Sequence, residues 1–426
     1  MNPVLNKWLT KGLVEGYDIL QGRRLSRLYN EIRSVNKESH SFDMQKLNTY
    51  LDSWGVDDLT ERRFMEKKDL RSQVENISTK KKFTFAYTGG STGEPLKIPY
   101  SKDRSLIRTA SIRYYNEIGN YFVGDRFLFI RAKPKSRLTQ LLRNELLCIP
   151  SRLDDAYVAD LTARMISAKT ESVIGYPSVM YEIAHCLDSR PELKAKCRVK
   201  SLISVSEPLD DIKRAYIQQV FNCTFVDRYS TEEVGVIAQQ YEFGGDYIVD
   251  RFGVFVEVLD PKTLEPVSEG KEGRVVVTDT NADIIPIIRY NTGDNAIVGE
   301  YRNRQVYSLK KISGRKADTL FTTKGIPISS LMLGPLIHKP FSQRSVHCQF
   351  QLIQLAEKKY ELRIKDSGNP KTDEACREVE NNIYPVLGRD AELKFSKLPE
   401  IPPLPSGKRP LYLNLMTHGN NGKNDA

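Results

Sequence analysis

The sequence predicts an α/β protein in two parts. A large N-terminal domain combines mixed parallel sheets, helices and a small β-barrel-like part, and a small α+β domain follows it. Three observations carry this reading. Strand-like and helical runs alternate between about residue 126 and residue 243, short β runs alone fill 247–313, and the last hundred residues mix both types. At about 150 residues per domain, a chain of 426 residues allows two or three domains.

In chain order, residues 1–80 read as a polar helical lead-in, with apolar residues at helical spacing at Leu13, Ile19, Leu20, Leu25, Leu28 and Ile32. The β-type run 83–87 ends in a Gly/Ser/Thr cluster at 88–95, a loop by composition. Residues 126–132 and 172–174 are strands, and the second leads through Gly175-Tyr-Pro177 to a helix capped by Ser178. A strand at 199–205 precedes an amphipathic helix at 210–221 capped by Asp210. A strand at 224–227 precedes Tyr229-Ser-Thr-Glu-Glu-Val-Gly235, which reads as opening another helix. This order implies a parallel sheet over 81–243.

The β runs 247–259, 273–279, 284–290, 295–299 and 305–313 suggest an antiparallel sheet or small barrel over 244–314. Beyond a boundary at Gly314-Arg315, strands at 344–355 and 359–365, a helix at 372–387 and a strand at 391–396 make a C-terminal domain of 315–418. The Gly/Asn-rich 419–426 reads as a disordered tail.

Composition excludes several classes. No apolar run approaches the roughly 18 to 20 residues of a membrane span, and the first residues lack a signal-peptide core, so the expected location is cytoplasmic. The six cysteines form no C-x-x-C and the five histidines no H-E-x-x-H, which disfavours a zinc site. The net charge of +10 is spread along the chain without a nucleic-acid-binding motif, and suits a small polyanion such as ATP or coenzyme A.

The loop Tyr87-Thr-Gly-Gly-Ser-Thr-Gly-Glu-Pro95 is the most informative motif. Its glycines allow close backbone approach, and its hydroxyls and N–H groups can cradle phosphate oxygens. No G-K-[ST] closes it, so it is not a Walker A loop. It also matches G-x-S-x-G around Ser91, but a nucleophile elbow needs a helix after the serine, and the extended Leu96-Lys-Ile-Pro-Tyr100 follows instead.

With its neighbours the loop resembles the phosphate-binding signature of the adenylate-forming superfamily. Further signatures recur in order. Ser206-Glu-Pro-Leu209 is similar to the adenine-side loop, and Tyr229-Ser-Thr-Glu-Glu-Val-Gly235 to Y-G-x-[ST]-E. Arg289-Tyr-Asn-Thr-Gly-Asp294 is similar to R-Y-x-T-G-D, Gly314-Arg-Lys-Ala-Asp318 to the hinge, and Pro405-Ser-Gly-Lys408 to the C-terminal lysine motif. Lys67-Lys-Asp-Leu-Arg71 and the short C-terminal unit resemble the phenylacetate-CoA ligase branch and its CapK-like members, linked to polysaccharide biosynthesis.

The resemblance implies activation of a carboxylic acid by ATP to an acyl-adenylate, release of pyrophosphate, and transfer to the thiol of CoA. A carrier-protein thiol or an amine is the alternative acceptor, and a non-catalytic nucleotide-binding scaffold the alternative from another class. Thr88, Gly89, Gly90, Ser91, Thr92 and Gly93 would bind phosphates, and Ser206, Glu207 and Pro208 would flank adenine. Tyr229, Ser230, Thr231 and Glu232 complete the nucleotide site, with Asp294 on the ribose hydroxyls and Arg315 beside the ribose or phosphate. Glu233 would hold Mg2+, with Glu232 as competitor, unless both are simply acids at a helix N-terminus. Lys408 would neutralise charge during adenylation, and Tyr176 and Pro177 would wall the acyl pocket, although Tyr176 reads equally as a core tyrosine. Arg315, Ala317 and Asp318 would form the hinge of a mobile C-terminal lid. A homodimer is also implied, although no self-complementary patch is legible in the sequence.

Overall fold

The computed structural model describes residues 3–38, 41–59, 63–77, 83–87, 96–315, 319–328, 330–347, 349–365, 368–404 and 407–416. The loop 88–95, hinge residues Ala317 and Asp318, and the tail 419–426 lie outside them.

Helices α1 (Pro3–Leu20), α2 (Arg24–Glu38), α3 (Met44–Ser53) and α4 (Lys67–Glu75) lead the chain. Strands β1 (Thr84–Tyr87) and β2 (Lys97–Tyr100) then pair antiparallel, with Tyr87 opposite Lys97, so both flanks of the 88–95 loop leave one hairpin. The α/β part runs α5 (Lys102–Ile118), β3 (Phe127–Ile130), α6 (Arg137–Leu142), β4 (Glu145–Cys148), α7 (Asp155–Ser167), β5 (Ser172–Gly175) and α8 (Pro177–Asp188). It continues through α9 (Pro191–Lys194), β6 (Ser201–Val205), α10 (Asp211–Phe221) and β7 (Thr224–Thr231). Then come β8 (Gly235–Gln240), β9 (Tyr247–Val249), β10 (Val254–Leu259), β11 (Glu272–Asp279), β12 (Tyr290–Arg302) and β13 (Gln305–Arg315).

Among the described residues, eleven strands form one sheet in the order β10-β11-β12-β13-β9-β8-β7-β6-β5-β3-β4. Strands β3 to β7 pair in parallel, and β5 is buried along its whole length, as expected of a parallel strand with helices on both faces. From β7 to β8 onward every pairing is antiparallel. Of the two expectations for the β-rich part, the antiparallel sheet holds and the small barrel is corrected: these strands are the antiparallel half of the same sheet. Residues 284–289 are not a strand, and β12 starts at Tyr290.

Two further expectations change. Asp210 caps α10 as expected, accepting from Lys213 N, but the cap position of α8 is Tyr176, not Ser178. Pro177 takes the first helical position, where its missing N–H costs nothing, and so moves the helix start two residues back. No helix follows Glu233, because the chain turns at 232–234 and returns as β8. Gly235, at φ +110°, makes the return, and its φ suits no helix.

The C-terminal unit contains β14 (Leu320–Phe321), β15 (Pro327–Ile328), α11 (Ser330–Gln343), β16 (Phe350–Ala356), β17 (Lys359–Lys365), α12 (Thr372–Leu387), β18 (Glu392–Leu398) and β19 (Tyr412–Asn414). Among the described residues, β18-β17-β16-β19 form a second sheet. Its apolar core, including Ile337, Phe350, Leu362 and Ile383, draws only on residues from 320 to 412. Residues 344–347 and 349 are not part of a strand. No described helix is long and apolar enough to cross a membrane.

Candidate active site

The β7–β8 turn carries Glu232 and Glu233, and it is held from behind. Arg104 on α5, itself buried, donates to Glu233 O at 2.8 Å and to Asp279 at 2.5 Å. Tyr100 Oη donates to Glu232 O at 2.5 Å, and Arg108 to the same carbonyl at 3.2 Å. Tyr100 ends β2, so the hairpin bearing the 88–95 loop abuts this turn.

The two acids differ sharply. The Glu232 side chain is exposed, 4.0 Å from Arg108. Glu233 is buried, and its Oε1 accepts from Tyr290 Oη at 3.1 Å. Because they sit on a turn between strands, the reading of them as acids at a helix N-terminus is withdrawn. A single buried carboxylate is a fitting oxygen donor for Mg2+, which keeps several waters and binds mainly through substrate phosphates.

Tyr290 opens β12, and four residues on lies Asp294. Asp294 is buried, and its Oδ2 accepts from Tyr229 Oη at 2.8 Å. Tyr229 also reaches Thr292 Oγ1 at 3.1 Å, and Thr292 Oγ1 accepts from Asp294 N at 3.1 Å. The carboxylate is thus oriented by a phenol before any ligand arrives, while the Thr292 hydroxyl holds the Asp294 backbone N–H. The β12–β13 register sets Arg315 opposite Asp294. Arg289, by contrast, faces away: it pairs with Glu257 at 3.1 Å and stacks on Phe64. Ser230 and Thr231 lie on β7 beside Tyr229, and Thr231 Oγ1 accepts from Val234 N at 3.2 Å, tightening the turn.

Ser206, at the end of β6, has φ +73°, a left-handed conformation unusual for serine. Glu207 follows and joins three elements. One oxygen accepts from Ser178 N at the start of α8, at 3.2 Å, and the other from Arg409 N at 2.8 Å. Burial raises the Glu207 carboxyl above its usual range, against the pull of these N–H groups and of Lys408. Lys408 therefore lies within the field of Glu207. It closes a turn in which Leu404 N donates to Lys408 O at 2.8 Å. Arg409 anchors that turn, donating to Pro150 O at 3.0 Å and Ile401 O at 2.7 Å.

Tyr176 is buried, near Glu207 and Ala132, and burial pushes its phenol up to about 12, helped by the Glu207 charge. It packs in the core of the parallel half, while Pro177 and Pro208 line a small cavity with Gln349 and Arg409 between the two units. The structure thus gathers Glu207 with Lys408, and Tyr229 with Asp294, and links Glu233 to the same β12 edge. The loop 88–95, expected to bind phosphates, falls outside the described residues.

Sequence reasoning missed Arg104, Tyr290 and Arg409 as supports. Tyr290 stood inside a quoted motif. For the other two, the partners that tie them to the site lie more than a hundred residues away in sequence: Glu233 for Arg104 and Pro150 for Arg409. It also missed the docking of the C-terminal unit. Buried Glu182 on α8 accepts from Lys365 Nζ at 2.8 Å and faces His347 Nε2 at 3.0 Å, and Lys365 reaches Asp155 at 2.9 Å. Burial alone would raise the Glu182 carboxyl, but His347 and Lys365 override it and hold it at about 2.

No family model matches the sequence. The chain is 23% identical over 413 residues to the protein CapK of Staphylococcus aureus, covering 93% of this chain and 88% of that protein. It is 23% identical over 241 residues to the phenylacetate-coenzyme A ligase of Escherichia coli, covering 53% of this chain and 55% of that enzyme. Its fold matches a 2-hydroxyisobutyryl-CoA ligase solved in the postadenylation state with its acyl-adenylate, at TM-score 0.61 and 18% identity, over 88% of this chain and 85% of that one. It also matches an anthranilate CoA ligase holding anthranoyl-AMP, at TM-score 0.54 and 16% identity, over 76% of this chain and 64% of that one. In sequence the chain is thus similar to CapK and the phenylacetate-CoA ligases, and in fold to AMP-forming acid ligases of the adenylate-forming superfamily.

Proposed function

We propose that the protein activates a carboxylic acid with ATP and passes the acyl group to the thiol of CoA. A carboxylate oxygen attacks the α-phosphorus, the bond to the β-phosphate breaks, and pyrophosphate leaves. The thiolate sulfur then attacks the acyl carbon, AMP leaves, and the thiol proton goes to solvent. The first step brings anions together, so charge must be neutralised at the α-phosphate.

In this reading Asp294, aimed by Tyr229, accepts hydrogen bonds from the ribose hydroxyls. Lys408, held at Glu207 by the Arg409 anchor, stabilises charge at the transferring phosphoryl group. Thr88, Ser91, Thr92 and Gly93 cradle the outer phosphates, and Tyr176 and Pro177 bound the acyl side. Mg2+ held through Glu233 would offset phosphate charge. Residues 315–318 serve as the hinge between a 1–314 domain and a 315–418 lid. The observation that carries this reading is the Glu207–Arg409 hydrogen bond, which brings the C-terminal lysine motif to the adenine-side loop across 202 residues of sequence.

The test is pyrophosphate release with Mg·ATP and a panel of aromatic, hydroxy, fatty and amino acids, run with and without CoA. Acid-dependent release stimulated by CoA is the expected result. Release indifferent to CoA would turn the acceptor to a carrier-protein thiol or an amine, as a place in polysaccharide or secondary-metabolite biosynthesis would accommodate. ATP binding without release for any acid would favour the scaffold.

A further inference from the structure

The parallel half of the sheet has two faces. Helices α7, α8 and α10 cover one, over Leu128, Val173 and Leu202. The other carries Phe127, Ile174, Ile203 and Val226, and α5 ends on it: a Cβ at Gly119 would meet Val226 at 3.1 Å and Ile203 at 3.4 Å. Toward the carboxyl ends of the strands this face is only partly buried, at Phe129 and Val205. Ligands of open parallel sheets gather at such ends.

Arg131 follows β3 on this face. Its guanidinium lies 5.3 Å from the centre of the Phe129 ring, and its charge bears on the Tyr176 phenol. The next residue, Ala132, abuts the turn that carries Lys408: a Cβ at Gly407 would come within 3.3 Å of Ala132 Cβ. Residues 131–137 hold four cations and no acid, so any balancing charge comes from elsewhere. Lys135, 4.6 Å from the same ring, finds it in buried Glu145 at 2.7 Å, which also faces Arg143 at 3.5 Å. Arg131 does not. Among the described residues its guanidinium makes no hydrogen bond and no ion pair. It is half-buried and folded back on an aromatic ring rather than extended into water.

We propose that the acid activated here is a dicarboxylic acid, whose second carboxylate is held by Arg131 over Phe129 while the first is adenylated beside Lys408. The inference rests on the adenylation reading above and names its substrate class. A guanidinium meets a carboxylate through two parallel N–H bonds, a fit that a neutral acyl tail cannot offer. The short path from Arg131 through Ala132 to Gly407 selects a small diacid over a long chain.

Two measurements on the full chain test this, using succinate and glutarate against their monoamides, succinamate and glutaramate, with phenylacetate and butyrate as acids with apolar tails. In pyrophosphate release with Mg·ATP, kcat/KM for each diacid is expected to exceed that of its monoamide about thirtyfold, the effect of one charge-assisted pair. Arg131→Gln brings that ratio to within about threefold of unity. Arg131→Lys restores part of it, and Arg137→Gln, at an exposed position, keeps it. The ratio does not depend on how much of a variant folds. A wild type that prefers the monoamides or phenylacetate overturns the inference and leaves adenylation standing. So does an Arg131→Gln loss equal for both members of a pair. Calorimetric titration of the same acids, with AMP present, reads the pocket without turnover. Diacid binding that Arg131→Gln weakens, in a protein that releases no pyrophosphate, would overturn the adenylation reading and uphold Arg131 as a carboxylate site. A diacid that is neither bound nor turned over overturns the inference.

Discussion

Glu182→Gln removes the charge on which the C-terminal unit docks. The side chain is 2% exposed, and its partners Lys365 and His347 are almost as deeply buried, so solvent does not screen the loss. Two routes give its size. Removing one partner of a buried ion pair costs about 3–5 kcal/mol. Independently, a carboxyl lowered from its usual 4.5 to about 2 contributes about 3 kcal/mol at neutral pH. Because the folded value is depressed, this stability is present in full above the usual 4.5 and is lost as pH falls through about 2. Urea unfolding followed by circular dichroism should show the variant about 3 kcal/mol less stable at pH 7, with the gap narrowing to about 2 kcal/mol at pH 3.5. A gap below about 1 kcal/mol at pH 7, or one that widens on acidification, would refute the reasoning.

Other consequences can be checked together. Tyr229→Phe should leave Asp294 in place but unaimed, raising the KM for ATP about fivefold with little change in kcat, a loss of about 1 kcal/mol. Glu233→Gln should cut pyrophosphate release about a hundredfold or more and raise the magnesium requirement, whereas Glu232→Gln, at an exposed carboxylate, should change it less than threefold; equal effects would return Glu232 to the site. Arg409→Ala, by freeing the Lys408 turn from Pro150, should lower kcat for pyrophosphate release without weakening ATP binding measured by calorimetry.

How much was legible in the sequence follows from how local each signal is. The Asp210 cap and the amphipathic run of α10 act within a few residues, and both were readable. The turn at 232–234 was not, because two acids ahead of an apolar run look the same before a helix and between two strands. Gly235 was the overlooked signal. Helix α11 escaped because Pro335 and Pro340 interrupt its periodicity. The continuity of the parallel and antiparallel halves is set by the β7–β8 pairing, which no window on either side contains. In the site, Asp294, Glu233 and Lys408 stood out by motif. Arg104, Arg409 and Glu182 act through partners distant in sequence, and only the fold brings them into place.

The central claim is that a carboxylate oxygen attacks the α-phosphorus of ATP. It is tested most directly by supplying an acid labelled with 18O in its carboxylate, once the panel has identified one, and weighing the nucleotide product by mass spectrometry. The account predicts AMP carrying one 18O atom, left by the acyl group when the thiol displaces it. ADP with 18O in inorganic phosphate, or AMP free of the label, would contradict it.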